Sequence, residues 1–300
     1  MKKTPTPSYK SIILILLAAV VGGGISPITK LSLQTFPPIS FTLVRFLLAA
    51  GTLLPFILIK KHDWTQNLKR IILVSLLATA NIILFIFGVR RTTATSAQML
   101  YAGVPLIAGI FSYLLLKEKI HLRKLSGILI GFVGVMIIVL LPVIGKHAVF
   151  IGDIVGNTMI LTGVSLFALY TVLSKQFQKE YSPMELTIFF VLTSAVVQIL
   201  LLPLDLIEFP QWWGSISLVS ILGVLYVGVL GTGVFYLIYQ HAIQNSTPLI
   251  ASMILYLQPI FAYLWATVLL GERITQEFVV GVILSFIGVA LVTDMGRVKK

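Results

Sequence analysis

The sequence predicts an all-α integral membrane protein in which ten transmembrane helices form two inverted-topology repeats of five. Composition is the first observation behind this prediction: 58% of the 300 residues are hydrophobic and 11% are charged, whereas soluble domains carry about a quarter charged residues. The 22 basic and 10 acidic side chains cannot cover the surface of a soluble fold of this length. Long apolar stretches and an internal repeat are the other two observations.

Ten stretches are long and apolar enough to cross a bilayer, which takes about 20 mostly apolar residues. They cover residues 11–31, 38–59, 70–89, 95–116, 124–143, 151–174, 184–204, 215–240, 248–270 and 277–294. The connections between them are short, so we expect no separate soluble domain. The first stretch follows three lysines as a signal peptide does, but it has no convincing cleavage site, and we expect it to remain as the first span.

Basic residues predict the orientation of the chain. Sixteen of the 22 lysines and arginines fall at the N-terminus, at the C-terminus or in connections on the same side, and five fall on the other side. Because cytoplasmic connections are enriched in lysine and arginine, we expect both termini in the cytoplasm and the protein in an inner or plasma membrane. Arg45 is the remaining basic residue, and it lies within the second span.

Several function classes are excluded by what the sequence lacks. The net charge of +12 is divided among short clusters between spans, which does not favour nucleic-acid binding. There is no cysteine, the four histidines are scattered, and no catalytic or nucleotide-binding motif is present. We therefore expect a protein that is not an enzyme, with no cofactor, no bound metal and no ATP hydrolysis of its own.

The two halves of the sequence resemble each other. Pro105–Val135 aligns with Pro259–Val289 at an offset of 154, and ten of these 31 positions are identical. The identities include a proline, a glutamate (Glu118 and Glu272) and two glycines. Phe36–Ala50 aligns with Tyr181–Ala195 at an offset of 145. The two offsets differ by nine residues, which fits a longer outer loop in the second half, around residues 204–213.

Each half holds five spans, so the second half must enter the membrane from the opposite side. We expect residues 1–148 to form the first repeat and residues 149–300 the second, related by a pseudo-two-fold axis in the membrane plane. This symmetry is typical of secondary transporters, with a substrate site near mid-bilayer between the repeats and two conformations that open to opposite sides.

These features resemble the drug/metabolite transporter superfamily, and specifically its ten-helix EamA-type transporters. The resemblance rests on the proline in the fourth span of each half, on the L-x-E-x-I turns at Leu116–Ile120 and Leu270–Ile274, and on the G-x6-G helices that follow. It implies transport of small metabolites, often amino acids and related compounds and frequently outward, without a cofactor.

Polar and aromatic residues recur at helical spacing on one face of several spans, where a wet cavity would satisfy them. We expect the cavity to be lined by Arg45, Asn81, Phe85, Gln98, Tyr101, Ser165, Tyr236, Tyr239, Tyr256 and Gln258. An aromatic cavity with a few amide and hydroxyl groups suits a small amphipathic molecule. Packing between helices or an interfacial aromatic belt is the alternative for each of these residues.

Arg45 is the strongest of these candidates. Inserting an arginine at the centre of a span costs at least about 2.5 kcal/mol of free energy, so its side chain should have a partner or meet water. Contact with a substrate carboxylate or phosphate is one interpretation. Snorkelling to the outer interface and a structural hydrogen bond to helix-end carbonyls are the alternatives. Its counterpart in the second half is Phe190, so its role is not symmetric.

Pro27, Pro105 and Pro259 interrupt helical hydrogen bonding within spans, and we expect them to act as hinges. Gly127-x3-Gly131 and Gly281-x3-Ser285 give the fifth and tenth spans faces of small residues. Such faces favour close packing within the chain, and they would also allow a homodimer contact.

The predicted function is alternating-access transport of small organic metabolites, amino acids or related solutes, by export or facilitated diffusion. No acidic residue is expected deep in a span, so we expect no carboxylate that carries protons through the membrane. A multidrug or quaternary-ammonium exporter is one alternative, although that function usually needs a membrane acid. A membrane enzyme or scaffold that transports nothing is the other.

Overall fold

The computed structural model describes residues 9–58, 67–92, 97, 100–144, 153–270 and 276–293. In this part of the chain every regular element is helical. The α-helices are Tyr9–Gly23, Ile25–Ser32, Pro38–Leu58, Leu68–Arg91, Val104–Leu116, Leu122–Ile144, Ile154–Phe177, Pro183–Glu208, Leu218–Leu225, Phe235–Asn245, Pro248–Ser252, Ile254–Leu270 and Gln276–Thr293, with a 3-10 turn at Trp212–Gly214 and a π-helix at Tyr226–Val234.

Seven helical stretches of the described residues are long and apolar enough to cross a membrane. Two shorter apolar helices and Leu122–Ile144 account for the fourth, tenth and fifth spans. This all-helical arrangement confirms the predicted fold class.

The seventh span is longer than its hydropathy predicted. It starts at a capping box, where Ser182 Oγ accepts the N–H of Glu185 and a Glu185 carboxylate oxygen accepts the N–H of Ser182, and it continues to Glu208. Asp205 and Glu208, expected in the outer loop, are therefore helical. The helix continues past Asp205 because that carboxylate has a partner: Oδ2 accepts the N–H of Ser40 at 2.6 Å, at the start of the second span.

Breaks divide three spans near their prolines. The first span is interrupted at Gly24 and the fourth at Ala102 and Gly103, in each case just before the proline, at Pro27 and Pro105. Since a proline cannot donate to the carbonyl four residues before it, the ladder weakens at these points. The ninth span is interrupted at Met253, and Pro259 lies inside the helix that follows.

The most extensive helix contacts join the two halves to each other. The first span packs on the eighth and ninth, the second on the seventh and eighth, the third on the sixth, and the fifth on the tenth. In the last pair the small residues face one another: a Cβ on Gly134 would lie 2.6 Å from the backbone nitrogen of Ser285, and one on Gly127 would lie 2.8 Å from the carbonyl oxygen of Gly288. The faces that would allow a dimer contact are thus in use within the chain.

Candidate functional site

A cavity of about 70 Å³ lies between the two halves. It is lined by Gly22, Ile25, Ser26, Arg45, Asn81, Ile82, Phe85, Ala97, Tyr101, Phe167, Phe235, Tyr236, Leu255 and Gln258. The first four spans contribute from one half, and the sixth, eighth and ninth spans contribute from the other. A single buried water needs roughly 10–15 Å³ of such a cavity, so there is room for a small molecule.

The structure brings six of the ten expected lining residues together in this cavity. They are Arg45, Asn81, Phe85, Tyr101, Tyr236 and Gln258. Gln98 lies outside the described residues.

The other three expected residues lie elsewhere. Tyr239 is fully buried behind the cavity, where its ring stacks on Phe167 with centroids 5.5 Å apart. The Tyr256 hydroxyl donates to the carbonyl oxygen of Ile128 at 2.9 Å, between the ninth and fifth spans. Ser165 donates to the carbonyl oxygen of Leu161 on its own helix at 3.0 Å.

In the sixth span, the helical spacing of polar residues predicted the wrong face to line the cavity. Thr158, Thr162 and Ser165 align on the helix, but each hydroxyl donates to the carbonyl four residues earlier, which satisfies it without a cavity. The cavity wall is formed instead by Phe167, on an apolar face that polarity could not reveal. Ser26 was also missed, and its signal was a hydroxyl four residues after Gly22 within the first span.

Arg45 is the charged side chain of the cavity lining. Its side chain is only 1% exposed, so it does not snorkel to the interface. Nε donates to Thr232 Oγ1 at 2.5 Å, and the guanidinium carbon lies 5.7 Å from the ring centroid of Phe46. Among the residues that the structure describes, Nη1 has no hydrogen-bond partner. A buried guanidinium nitrogen without an acceptor is costly, and Arg45 belongs to the wall of a cavity in which a ligand could supply one.

The acidic side chains with described contacts are engaged elsewhere. Their partners are Lys124 for Glu118 at 3.1 Å, Arg91 for Asp153 at 2.7 Å, Asn67 for Glu180 at 2.7 Å, Ser182 for Glu185 at 2.7 Å, Ser40 for Asp205 at 2.6 Å and Arg90 for Glu208 at 4.0 Å. Within the described part of the chain no carboxylate pairs with Arg45. The positive charge of the cavity is therefore not neutralised by the described protein groups.

The π-helix of the eighth span positions the partner of Arg45. The Thr232 hydroxyl donates to the carbonyl of Val227, five residues earlier, at 2.7 Å and leaves its oxygen to accept from Arg45. Close approach of the two spans depends on Gly228, where a Cβ would lie 3.0 Å from the Arg45 carbonyl oxygen and 2.8 Å from Leu48 Cβ. π-helices are rare and frequently mark functional sites.

Neutral polar groups and aromatic rings complete the cavity. Asn81 Nδ2 donates to the Tyr101 hydroxyl at 2.7 Å, which fixes both side chains while Tyr101 keeps its own proton to donate. Tyr101 packs edge-on against Phe85 with centroids 5.4 Å apart. On the opposite wall Phe235 and Tyr236 are likewise edge-on at 5.4 Å. The surface offered to a ligand is thus largely aromatic.

Two basic side chains make contacts between the two halves or between spans at the ends of the helices around this cavity. At one end Arg91 pairs with Asp153, which caps the sixth span; this bond and the N–H of Val155 hold the pKa of the Asp153 carboxyl below its usual value. At the other end Lys175 Nζ donates to the carbonyls of Ile243, Gln244 and Ser246 at 2.6, 3.0 and 2.9 Å. In the described residues no group of three or more metal-ligating side chains occurs.

Comparison with known proteins agrees with this architecture. The chain is 29% identical to an uncharacterized transporter of Clostridium kluyveri, covering 93% of this chain and 91% of the relative. It is 26% identical to an uncharacterized transporter of Archaeoglobus fulgidus, covering 95% and 97%. It is also 24% identical to the uncharacterized transporter YyaM of Bacillus subtilis, covering 96% and 95%.

A solved crystal structure that is 16% identical in sequence superimposes with a TM-score of 0.80 over 97% of this chain and 98% of the other, which shows a shared fold. The profile of the EamA-like transporter family matches twice, at residues 9–140 and 154–294. Both repeats are covered, and the chain is a multi-pass membrane transporter that belongs to the EamA-like transporter family.

Proposed function

We propose that this transporter moves small organic metabolites, amino acids or related solutes, across the plasma membrane by alternating access. Substrate binds in the cavity between the repeats, which we divide at residues 148 and 149. The observation that carries the proposal is the cavity itself, because side chains from both halves form its wall. A site shared by two repeats can change its opening when one repeat moves against the other.

Export or facilitated diffusion is the mode of transport that we favour. Proton-driven carriers commonly use a buried carboxylate or histidine in the membrane. The carboxylates with described contacts serve as caps or pair with neighbouring groups near helix ends. Asp205 is buried, but it lies in the last turn of the seventh span, where it holds the start of the second span. We place both termini in the cytoplasm, as the distribution of basic residues favours.

A counterflow screen in proteoliposomes tests the proposal. Vesicles preloaded with one unlabelled solute and diluted into its labelled form are expected to accumulate label for a subset of amino acids or related small metabolites. Quaternary ammonium ions are not expected to exchange, because the cavity holds a positive charge. Exchange of quaternary ammonium compounds alone would establish the exporter alternative, and the absence of exchange for every class would favour a scaffold.

A pair of tryptophan variants links transport to the cavity. Ser26→Trp fills the cavity from the first span and is expected to abolish counterflow. Ile13→Trp is the matched control, because Ile13 lies on the same span with its side chain 56% exposed on the outside of the bundle. Equal activity in the two variants would place the substrate path elsewhere.

A further inference from the structure

We propose that the cavity selects monovalent organic anions, with a substrate carboxylate on the Arg45 guanidinium and its apolar body against the aromatic wall. This inference rests on the proposed function and narrows its substrates, at the same site, from amino acids and related solutes to anions without an ammonium group. Three observations support it: the positive charge of the cavity wall, the Arg45 guanidinium with a donor that has no described acceptor, and the volume of the cavity.

The charge of the lining determines which ligand charge is favoured. Arg45 is the charged residue among the described residues that line the cavity, and the other polar members are neutral amide and hydroxyl groups. A ligand of charge −1 therefore makes the occupied cavity neutral. A cation would add a second buried positive charge, and the ammonium group of an amino acid would find no carboxylate on the described wall.

The position of Arg45 fits a carboxylate anchor. Nε is held by Thr232, so the plane of the guanidinium is fixed before a ligand arrives. Nη1 is left as a donor without an acceptor among the described residues. A planar guanidinium recognises carboxylates through parallel N–H···O bonds, and such charge-assisted bonds are among the stronger ones in proteins. An anion that binds here supplies the acceptor that the fold omits.

The rest of the wall fits a compact apolar body. Phe85, Phe167 and Phe235 offer carbon surface, and the Tyr101 hydroxyl supplies a neutral donor. The cavity of about 70 Å³ accommodates a few non-hydrogen atoms without rearrangement. We therefore expect short carboxylic acids to fit the cavity as it stands, a singly aromatic acid to require movement of the wall, and multiply charged anions to be excluded for want of a second cation.

Two series of closely related compounds that differ in charge test the inference. The probes are propionate, alanine and ethylamine, and the larger set 3-phenylpropionate, phenylalanine and phenethylamine; each amine lacks the carboxylate of its amino acid and each acid lacks the ammonium. Purified protein is melted by following the fluorescence of its four tryptophans. In at least one set the acid is expected to raise Tm more than the other two compounds.

Three variants test whether Arg45 causes the preference for the acid. Arg45→Gln is expected to weaken binding of the acid by about tenfold to a hundredfold, the range of a hydrogen bond to a charged group. Arg45→Lys keeps the positive charge but lacks the paired N–H donors of a guanidinium, so an intermediate affinity for the acid is expected. Arg90→Gln removes one positive charge at an exposed helix end outside this cavity and is expected to bind as the wild type does.

The melting temperature without ligand separates binding from a structural role. A guanidinium buried without a carboxylate is costly, so unliganded Arg45→Gln is expected to melt at or above the wild-type temperature. A lower Tm with the charge preference intact would overturn the inference, and so would a wild-type protein that prefers no acid in either set. If the inference fails in either way but the protein still exchanges solutes other than monovalent acids, the proposed function stands. If no solute of any class shows counterflow, the proposed function fails as well.

Discussion

Arg45 is buried in the second span without a carboxylate among its described contacts, and it donates instead to Thr232, which lies 187 positions further along the chain. Binding sites commonly keep such uncompensated groups at some cost in stability, because a perfectly satisfied side chain has nothing left to offer a ligand. The sequence identified Arg45 from its position within a span. It could not identify Thr232 as the partner, because helical spacing does not predict which spans touch.

Asp205 carries the first prediction at this scale. Its carboxylate accepts the N–H of Ser40 in the first turn of the second span, so it caps that helix from the seventh span. Asp205→Ala is expected to lower the stability of the unliganded protein by about 1–2 kcal/mol, through loss of a cap and of a negative charge at a helix N-terminus. Tryptophan fluorescence during thermal melting measures the change.

Asp205→Asn is the control for the cap, because an amide oxygen can accept the same bond without the charge. A smaller loss of stability is expected for Asn than for Ala. If Asp205→Ala melts as the wild type does, the bond to Ser40 contributes nothing and the longer seventh span needs another explanation.

Helix number and approximate bounds were largely accessible from sequence, because a bilayer requires about 20 apolar residues per crossing. The interruptions were less accessible. A proline marks a missing donor, but in the ninth span the break lies at Met253, six residues before Pro259. The π-helix at Tyr226–Val234 was not predicted at all. This π-helix packs against the second span, and a hydropathy pattern predicts neither the contact nor the altered hydrogen-bonding pattern.

Lys175 carries a prediction at the scale of one helix end. Its ammonium donates to three carbonyls at the C-terminal end of the helix Phe235–Asn245 and just beyond it, where the helix dipole also favours a cation. Lys175→Met is expected to keep the aliphatic packing and to lose these bonds, lowering stability by about 1–3 kcal/mol. Thermal melting in detergent provides the measurement.

The repeat supplies a matched control for this variant. Lys30 occupies the position of Lys175 in the first half, at an offset of 145, but its side chain is exposed and has no hydrogen bond to the residues that the structure describes. Lys30→Met is expected to melt within about 0.5 kcal/mol of the wild type, as exposed substitutions usually do. Equal losses in the two variants would contradict the assignment of a stabilising role to Lys175 alone.

The whole molecule is held together by contacts between the repeats more than by contacts within them. The second span packs on the seventh and eighth, and the third on the sixth, so that neither half forms a compact unit by itself. The sequence indicated two related halves and a site between them, but identity between the halves cannot specify how they interlock. The cavity follows from that interlocking, since its wall takes side chains from both halves.

The tightest of these contacts, between the fifth and tenth spans, gives the prediction for the whole molecule. A Cβ on Gly134 would lie 2.6 Å from the Ser285 nitrogen and 2.8 Å from the Gly281 carbonyl oxygen, both of them backbone atoms that cannot yield as a side chain would. Gly134→Ala is therefore expected to separate the two spans and to destabilise the protein by about 1–3 kcal/mol. Helices in a bilayer associate chiefly through such close packing.

Gly51 provides the comparison, because it also lies within a spanning helix but nothing stands within 4 Å of an added Cβ. Gly51→Ala is expected to be neutral or stabilising by up to about 1 kcal/mol, since alanine is the better helix former. The two variants differ from the wild type by the same single methyl group, so any difference in their melting temperatures reports the contact between the halves. An equal destabilisation in both variants would mean that the contact at Gly134 adds nothing to the effect of the methyl group, and close glycine packing would then not be what joins the repeats.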